Sequence, residues 1–392
     1  MNEADRASLL LELFQAGVDA VGGRQAAYRV VQEASWDAPV HMVAIGKAAD
    51  AMATGALAAL GDSLVSALVI TKHAHLSDTL PQDKRFECLE SGHPVPDNGS
   101  LIAGERLLDY VAQIPGDHEL LFLVSGGASA LVESLNDGLS LDDLKRETDQ
   151  LLASGAPIGE MNRHRRTLSR IKGGKLAQHI TCKVRQLLIS DVPGDQPADI
   201  GSGLLVPDST AGMSPDLAVW QQIDTQIIAS SDIAQAAVAK AAANKGIPVN
   251  QASGSLHGDI ADVTQRLASV ITYEDALPGI YIWGGEPTVV LPPNPGRGGR
   301  NQHLALALAP ALHTRSVASL LVCGTDGSDG PTGDAGGLIC ESTKAIAQRR
   351  SLEISNYLDN ADAGTCLEQL NALVTTGPTG TNVMDLAIAY LE

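Results

Sequence analysis

Aromatic side chains are scarce: 3 Trp, 6 Tyr and 3 Phe among 392 residues. The core must be built from aliphatic residues and alanine. The 44% hydrophobic content is enough for that, and it excludes a disordered chain. Cysteine is sparse too. Cys88, Cys182, Cys323, Cys340 and Cys366 are odd in number, scattered and without a C-x-x-C pair. They read as buried thiols in a reducing, cytoplasmic setting. No run approaches the ~18 apolar residues of a membrane helix. The opening MNEADRASLLLELFQAG has early acids and reads as an amphipathic helix, not as a signal peptide. Positive charge is outnumbered: 27 Lys plus Arg against 46 Asp plus Glu leave a net −19. Such a surface argues against nucleic acid or an anionic membrane as the main partner. It leaves room for a small anionic substrate, which a few local cations and helix ends can hold.

At roughly 100–200 residues per domain, the length suggests two domains. Short apolar runs alternate with glycine-rich turns and helical patterns. HMVAI precedes Gly46-Lys47 and the helix AADAMATGALAAL; SALVIT follows; ELLFLV runs into Ser125-Gly126-Gly127-Ala128-Ser129; RQLLIS leads to Asp191. These are βα units of a mostly parallel sheet covered on both faces. The pattern restarts near residue 222, through TQIIAS, the helix DIAQAAVAKAAANKG, IPVNQAS, the helix DIADVTQRLASVI, GIYIW, the helix RNQHLALALAPALH and ASLLVC, which opens into Gly324-Thr325-Asp326-Gly327. The chain closes with ALVTT, the turn Gly377-Pro378-Thr379-Gly380 and an expected helix over 381–392, free to pack back on the first domain. The expected domains are 1–221 and 222–392.

In open α/β sheets the ligand site lies at the carboxyl ends of the strands. Glycines there let backbone N–H groups approach a phosphate, and a following helix adds partial positive charge. Ser125, Gly126, Gly127 and Ser129 fit this pattern, with an ordinary tight turn as the alternative. Lys47, between a strand and a helix start, is disfavoured by the helix field unless an anion shares its site. Residues 161–179 gather basic side chains, most of them a solvated face; Arg165, Lys172 and the pair Gly173-Gly174 are the exceptions that could meet a polyphosphate. Residues 296–302, Gly-Arg-Gly-Gly-Arg-Asn-Gln, open a helix with two arginines whose planar forks suit phosphate or carboxylate. Acids cluster at strand ends: Asp191, Asp195, Glu286, Asp326, Asp329 and Asp334. Of these, Asp191 and Asp326 follow their strands most directly and are the metal candidates, with capping roles as the alternative. There is no Walker sequence, dinucleotide G-x-G-x-x-G, protein-kinase signature, G-x-S-x-G elbow or H-E-x-x-H helix.

Nine segments in one order, AIGKAADAM, SGHPVPD, LVSGGASAL, LSRIKGGKLA, ISDVPGD, WGGEPTV, GRGGRNQ, GTDGSDGPT and TGPTGTNV, resemble the class II glycerate 2-kinases over nearly the whole chain. Their C-terminal region is the MOFRL domain, and older names call them hydroxypyruvate reductases. The resemblance implies a Rossmann-like α/β/α N-terminal domain, an α/β MOFRL-type C-terminal domain and an active site in the cleft between them. It implies transfer of the γ-phosphoryl group of ATP to the 2-hydroxyl of D-glycerate, with Mg²⁺. The family's lysine falls on Lys47 and its arginine on Arg300. On that footing Ser125, Gly126, Gly127, Ser129, Lys172, Gly173, Gly174, Gly324, Thr325, Gly377 and Thr379 are expected at the nucleotide. Arg165, Arg297 and Asn301 are expected at the substrate, and Asp191 and Asp326 at the metal, in a monomer or homodimer. Four departures from the family pattern stand out: His303 for Glu, Met384 for Asn, Gly333-Asp334-Ala335-Gly336 for Asp-Ala-Ala-Gly, and Gly201-Ser202-Gly203-Leu204 for Ala-Ser-Gly-Pro. They keep open another hydroxy-acid acceptor and a binding protein without turnover, while the older name keeps open an NAD(P)H-dependent hydroxypyruvate reductase.

Overall fold

The computed structural model describes residues 1–153, 158–207, 217–250 and 254–392. They form two compact α/β units, residues 22–229 and residues 1–21 with 230–392. This division differs from 1–221 and 222–392 at both ends, for reasons that lie in strand pairing and helix packing.

After α1 (Glu3–Val21), the unit of residues 22–229 contains α2 (Gly23–Glu33), β1 (Val40–Ile45), α3 (Ala49–Leu60), β2 (Leu64–Lys72), β3 (Phe86–Ser91), α4 (Asn98–Ala112) and β4 (Glu119–Val124). The one-turn α5 (Ala128–Leu131), α6 (Leu141–Ala153), α7 (Ile158–Leu168), β5 (Lys183–Ile189), α8 (Leu217–Trp220) and β6 (Ile223–Ala229) complete it. The sheet runs β3-β2-β1-β4-β5-β6 with every neighbour parallel. This is the Rossmann order. Its central strands are continuous apolar runs because helices cover both faces; Met42 to Ile45 and Leu120 to Leu123 are fully buried. The sixth strand, β6, lies beyond residue 221 and pairs with β5, which carries the unit's end to 229. Helix α4 starts on a reciprocal cap: Asp97 Oδ1 accepts from Ser100 N at 3.0 Å, and Ser100 Oγ accepts from Asp97 N at 3.1 Å.

The other unit adds to α1 the elements α9 (Ser231–Asn244), β7 (Val249–Asn250), β8 (Gly258–Asp259), α10 (Ile260–Ile271), β9 (Gly279–Gly285), β10 (Pro287–Thr288), α11 (Arg300–Leu312) and β11 (Ala318–Gly324). Then come β12 (Gly336–Cys340), α12 (Thr343–Arg349), α13 (Ile354–Asp359), α14 (Ala363–Leu370), β13 (Leu373–Val374) and β14 (Asp385–Leu391). Of the strand expected in IPVNQAS, Val249–Asn250 forms β7, and residues 251–253 lie outside the described residues. The six-stranded sheet runs β13-β12-β11-β14-β9-β7 and is mostly antiparallel; β7 alone pairs parallel, with β9. The helix expected over 381–392 is therefore a central strand. An apolar run this short does not separate helix from strand by periodicity. Here β11 and β9 both offer open edges, and β14 fills the gap between them in antiparallel register.

The initial helix α1 is amphipathic, as its sequence suggests, and Leu10, Leu13 and Phe14 are buried. It packs on α9, β11 and β14, elements of its own unit that come much later in the sequence. A Cβ on Gly17 would lie 2.8 Å from Val238 and 3.3 Å from Leu386, so glycine permits the close approach. Arg6 fixes the start of the helix by two hydrogen bonds to Glu341, at 2.6 and 2.7 Å, and one to Ser319 Oγ at 3.0 Å. All five cysteines are free thiols. Phe14→Ala should cost about 3–5 kcal/mol by creating a cavity. Hydrogen exchange should then speed up in α9, β11 and β14 and not in β1–β6; the reverse pattern would mean that α1 stabilises the parallel sheet.

Candidate active site

In the parallel sheet the chain leaves β1 toward β2 on one side, and β4 lies on the other. The loops after β1 and β4 therefore diverge at the carboxyl edge and leave a crevice, the usual ligand position in such sheets. The loop after β1 is Gly46-Lys47; that after β4 is Ser125-Gly126-Gly127. The backbone locks them side by side: Ser125 N donates to Ile45 O and Lys47 N to Gly126 O, both at 2.9 Å, and Ala48 N donates to Ser125 Oγ at 3.0 Å. Two glycines are required here. Gly46 has φ +131°, and any Cβ on it would overlap Ser125. Gly127 has φ +85°, and its Cβ would press on the His93 ring at 2.9 Å. Lys47 is half-buried at this mouth.

Further along, Ser129 Oγ is 2.7 Å from Ser202 Oγ, while Gly173 N donates to Ser202 O at 3.0 Å and Gly174 N to Gly203 O at 2.6 Å. Segment 201–203, one of the four motif departures, thus joins the 125–129 and 173–174 turns. Asp191 is half-buried just past β5, the strand beside β4. Lys172 belongs to a different environment from the one expected of a nucleotide contact. It is fully buried, and its ammonium is ion-paired with the equally buried Glu133. Burial pulls the Lys172 pKa down against the attraction of Glu133. Arg165 also feels the Glu133 charge, and its Nε is buried without a hydrogen bond. The structural outcome is a buried ion pair beneath the glycine turns, in place of a lysine open to phosphate.

In the antiparallel sheet, the ends of three strands align: Gly324 of β11 faces Asp385 of β14, which faces Gly285 of β9. Arg300, at the start of α11, spans this row. Its Nε donates to Asp385 Oδ2 at 2.6 Å and its Nη2 to Asp385 Oδ1 at 3.2 Å, while Nη1 lies 2.6 Å from Glu286 Oε1. Burial opposes the Arg300 charge, but Asp385, Glu286 and Asp329 outweigh it and hold the guanidinium above its ordinary pKa. The positive end of α11 is itself engaged: Asp329 accepts from Asn301 N at 3.0 Å and from Gln302 N at 2.8 Å. Burial raises the Asp329 pKa to about 7 even against those bonds, and that of Asp385 to about 6 against Arg300 and Asn301. The expected pair of arginines is thus compensated by acids. Arg297 is held by Asp334 and Glu368, both at 2.8 Å.

Two other expected ligand contacts are internal. Asn301 is fully buried and donates to Asp385 Oδ1 at 3.0 Å. Thr325 is fully buried; its hydroxyl donates to Met384 O at 2.6 Å and accepts from Val383 N at 2.9 Å. It ties β11 to the entry of β14 and is closed to solvent. Gly324 lines the strand-end row. The turn holding Gly377 and Thr379 packs on the turn after β11, where Thr379 Oγ1 donates to Thr325 O at 2.5 Å. Asp326 is half-buried there, with Oδ1 accepting from Ser328 N and Oγ at 2.9 Å. Among the described residues no three His, Cys, Asp or Glu side chains form a metal cluster. Asp191 and Asp326 are each single carboxylates beside a turn, and Mg²⁺ takes only one or two carboxylates when substrate phosphates and water complete its shell. Two residues of these strand ends are not among the expected ones. Asp385 lies in the segment expected as a helix, where its pairing leaves no local signal, while His93, in SGHPVPD, follows a strand end, a signal open to sequence reasoning.

A family described as a domain of unknown function, DUF4147, matches residues 9–238, and the MOFRL family matches residues 279–385. The D-glycerate 2-kinase of Thermotoga maritima is 34% identical over 412 residues, covering 98% of each chain. The chain belongs to the glycerate 2-kinase family. The crystal structure of glycerate kinase from Thermotoga maritima superposes with a TM-score of 0.89 at 33% identity, covering 99% of this chain and 100% of that one. A protein of Agrobacterium vitis, provisionally named as a hydroxypyruvate reductase, is also 34% identical, covering 98% of this chain and 94% of its own.

Two departures from the glycerate 2-kinase motifs acquire a physical meaning. His303, in the first turn of α11, is half-buried with Nδ1 unpartnered, and burial lowers its pKa. Burial thereby disfavours the charged form of the imidazole. Met384 is buried at φ +69°, a left-handed conformation in which asparagine is more comfortable than methionine. Its carbonyl holds Thr325, so the position serves the β11–β14 junction.

Glu133→Ala should cost about 3–5 kcal/mol by stranding the Lys172 ammonium, whereas Glu133→Leu combined with Lys172→Met should recover most of it in thermal melts. The Asp329 carboxyl, with its pKa raised from 3.8 to about 7, binds more protons folded than unfolded across that window, so its ionisation lowers stability as pH rises from 4 to 7. Asp329→Asn should therefore gain melting temperature relative to wild type on going from pH 5 to pH 8. A constant difference would remove the titration.

Proposed function

We propose that this protein transfers the γ-phosphoryl group of ATP to the 2-hydroxyl of D-glycerate, forming 2-phosphoglycerate. The observation that carries the reading is a pair of hydrogen-bonded glycine loops carrying Lys47 at the reversal point of a parallel sheet, in a chain that resembles a D-glycerate 2-kinase along nearly its whole length. Phosphoryl transfer asks a protein mainly for positioning and charge neutralisation. Backbone N–H groups of the 125–129 turn would cradle phosphate oxygens, and the Lys47 ammonium would neutralise charge on the group in transfer. In the antiparallel unit Arg300, although already held by two acids, keeps over a third of its side-chain surface exposed and would grip an anionic group. Asp191 and Asp326 would hold Mg²⁺, which supplies charge compensation at the phosphates when bound.

The reductase reading has one feature in its favour, the Rossmann strand order itself. Against it, the turn after β1 lacks the dinucleotide glycines, and β2 ends in Thr71-Lys72 where an acid would hold a ribose. A coupled assay decides between them. ADP should form with ATP, Mg²⁺ and D-glycerate, and NADH or NADPH should not be oxidised by hydroxypyruvate; the opposite result establishes the reductase. Lys47→Ala should lower kcat at least ~100-fold, since a charge-stabilising donor is lost. Its melting temperature should stay close to wild type, because the side chain is only half-buried. Wild-type turnover in that variant would remove Lys47 from the chemistry.

A further inference from the structure

The loop after β3 brings a histidine into the Lys47 crevice. In the sheet β3 is the outermost strand, separated from β1 by β2. His93, two residues past its end, nevertheless reaches the turn after β4. A Cβ placed on Gly127 would lie 3.0 Å from His93 Nε2 and 3.3 Å from Lys47 Cγ, so the imidazole and the lysine stem flank the same glycine. The ring is half-buried.

Its hydrogen bonding sets it apart from its neighbours. His73 Nε2 is held by Asp97 at 2.9 Å, and His75 Nδ1 lies 3.2 Å from His73 O. On the opposite edge of the sheet, His41 is held by Ser66 at 2.8 Å and by His118 at 2.9 Å. Among the described residues, nothing hydrogen-bonds either ring nitrogen of His93, and neither nitrogen is sealed from solvent. Burial first, then the charges of Lys47, Lys72 and His75, bring its pKa down to about 4. The ring is neutral at physiological pH and has a lone pair to offer. At the two turns Ser125 Oγ and Gly126 O also accept, but they already hold Ala48 N and Lys47 N. His93 keeps an acceptor nitrogen that none of these donors uses.

We infer that His93 is a catalytic residue of the phosphoryl transfer, accepting the hydrogen of the attacking hydroxyl through a ring nitrogen. The role rests on the kinase reading above. The hydroxyl oxygen forms a bond to Pγ. The bond from Pγ to the bridging oxygen breaks, and its electron pair leaves on ADP. The hydroxyl proton passes to the His93 ring nitrogen and from there to water. Bound polyphosphate offsets the charges of Lys47 and Lys72, two of the causes of the low basicity, so the ring becomes a better base when both substrates are present.

Steady-state kinetics of His93→Ala and His93→Gln, with melting temperatures, test this. Both variants should lose about 100-fold or more in kcat, the range for a general base, with little change in the KM for ATP. Added imidazole should restore part of the His93→Ala rate, which repair of a merely structural defect would not do. If either variant keeps kcat within about fivefold of wild type, His93 is not the proton acceptor. If His93→Ala misfolds, the Gln variant alone decides, since it preserves volume and hydrogen bonding but cannot take the proton. A wild-type protein that phosphorylates no hydroxy acid overturns the kinase reading, and His93's role with it. An active wild type with active variants overturns the role alone.

Discussion

The hydrogen bond from Lys47 N to Gly126 O joins the two loops on which the candidate site depends. Parallel strands need crossover connections, and the order β3-β2-β1-β4 sends those connections in opposite directions from β1 and β4. The strands stay paired to their ends while the chains above them part. Gly46 and Gly127 make that parting possible without a steric clash, since neither backbone conformation nor the available space admits a side chain. Lys47, Ser125 and His93 are carried to one place by this constraint, from loops some eighty residues apart at the extremes.

Charge is managed sparingly in so acidic a chain. Most cations near the motif turns are already compensated: Lys172 by Glu133, Arg300 by Asp385 and Glu286, Arg297 by Asp334 and Glu368. Each arrangement has a different consequence. The Lys172 pair is wholly buried, where two charges need each other and hold the surrounding turns in one geometry. The Arg300 network is half-open, with Asp385 inside and Glu286 outside, so the guanidinium is oriented by a buried acid while part of it faces solvent. Arg297 is more exposed, and its pairs contribute little stability.

The parallel unit was largely legible in the sequence. Its strands are apolar runs too short for helices, and glycine-rich turns mark their ends, so both the βα rhythm and the placement of Lys47 and Ser125 follow from local pattern. The second sheet was not. Its strands carry the same apolar signature, and antiparallel pairing leaves no local trace when both faces are buried. The last segment illustrates the difficulty. DLAIAYL contains good helix formers, and only the gap between β11 and β9 makes it a strand. Asp385 was lost with that misreading, and with it the partner that orients Arg300.

By itself the sequence determined the two-unit α/β architecture, the absence of a membrane-length apolar run, the glycine turns and the family, because periodicity, composition and ordered motifs are properties of the chain. Tertiary structure decided which motif side chains stay open to solvent and which face each other. Lys172, Asn301 and Thr325 sit in motifs of the right kind yet are sealed inside, and α1 packs on elements distant from it in the sequence. Burial and partner choice depend on residues distant in the chain, and no local pattern of charge or hydropathy records them.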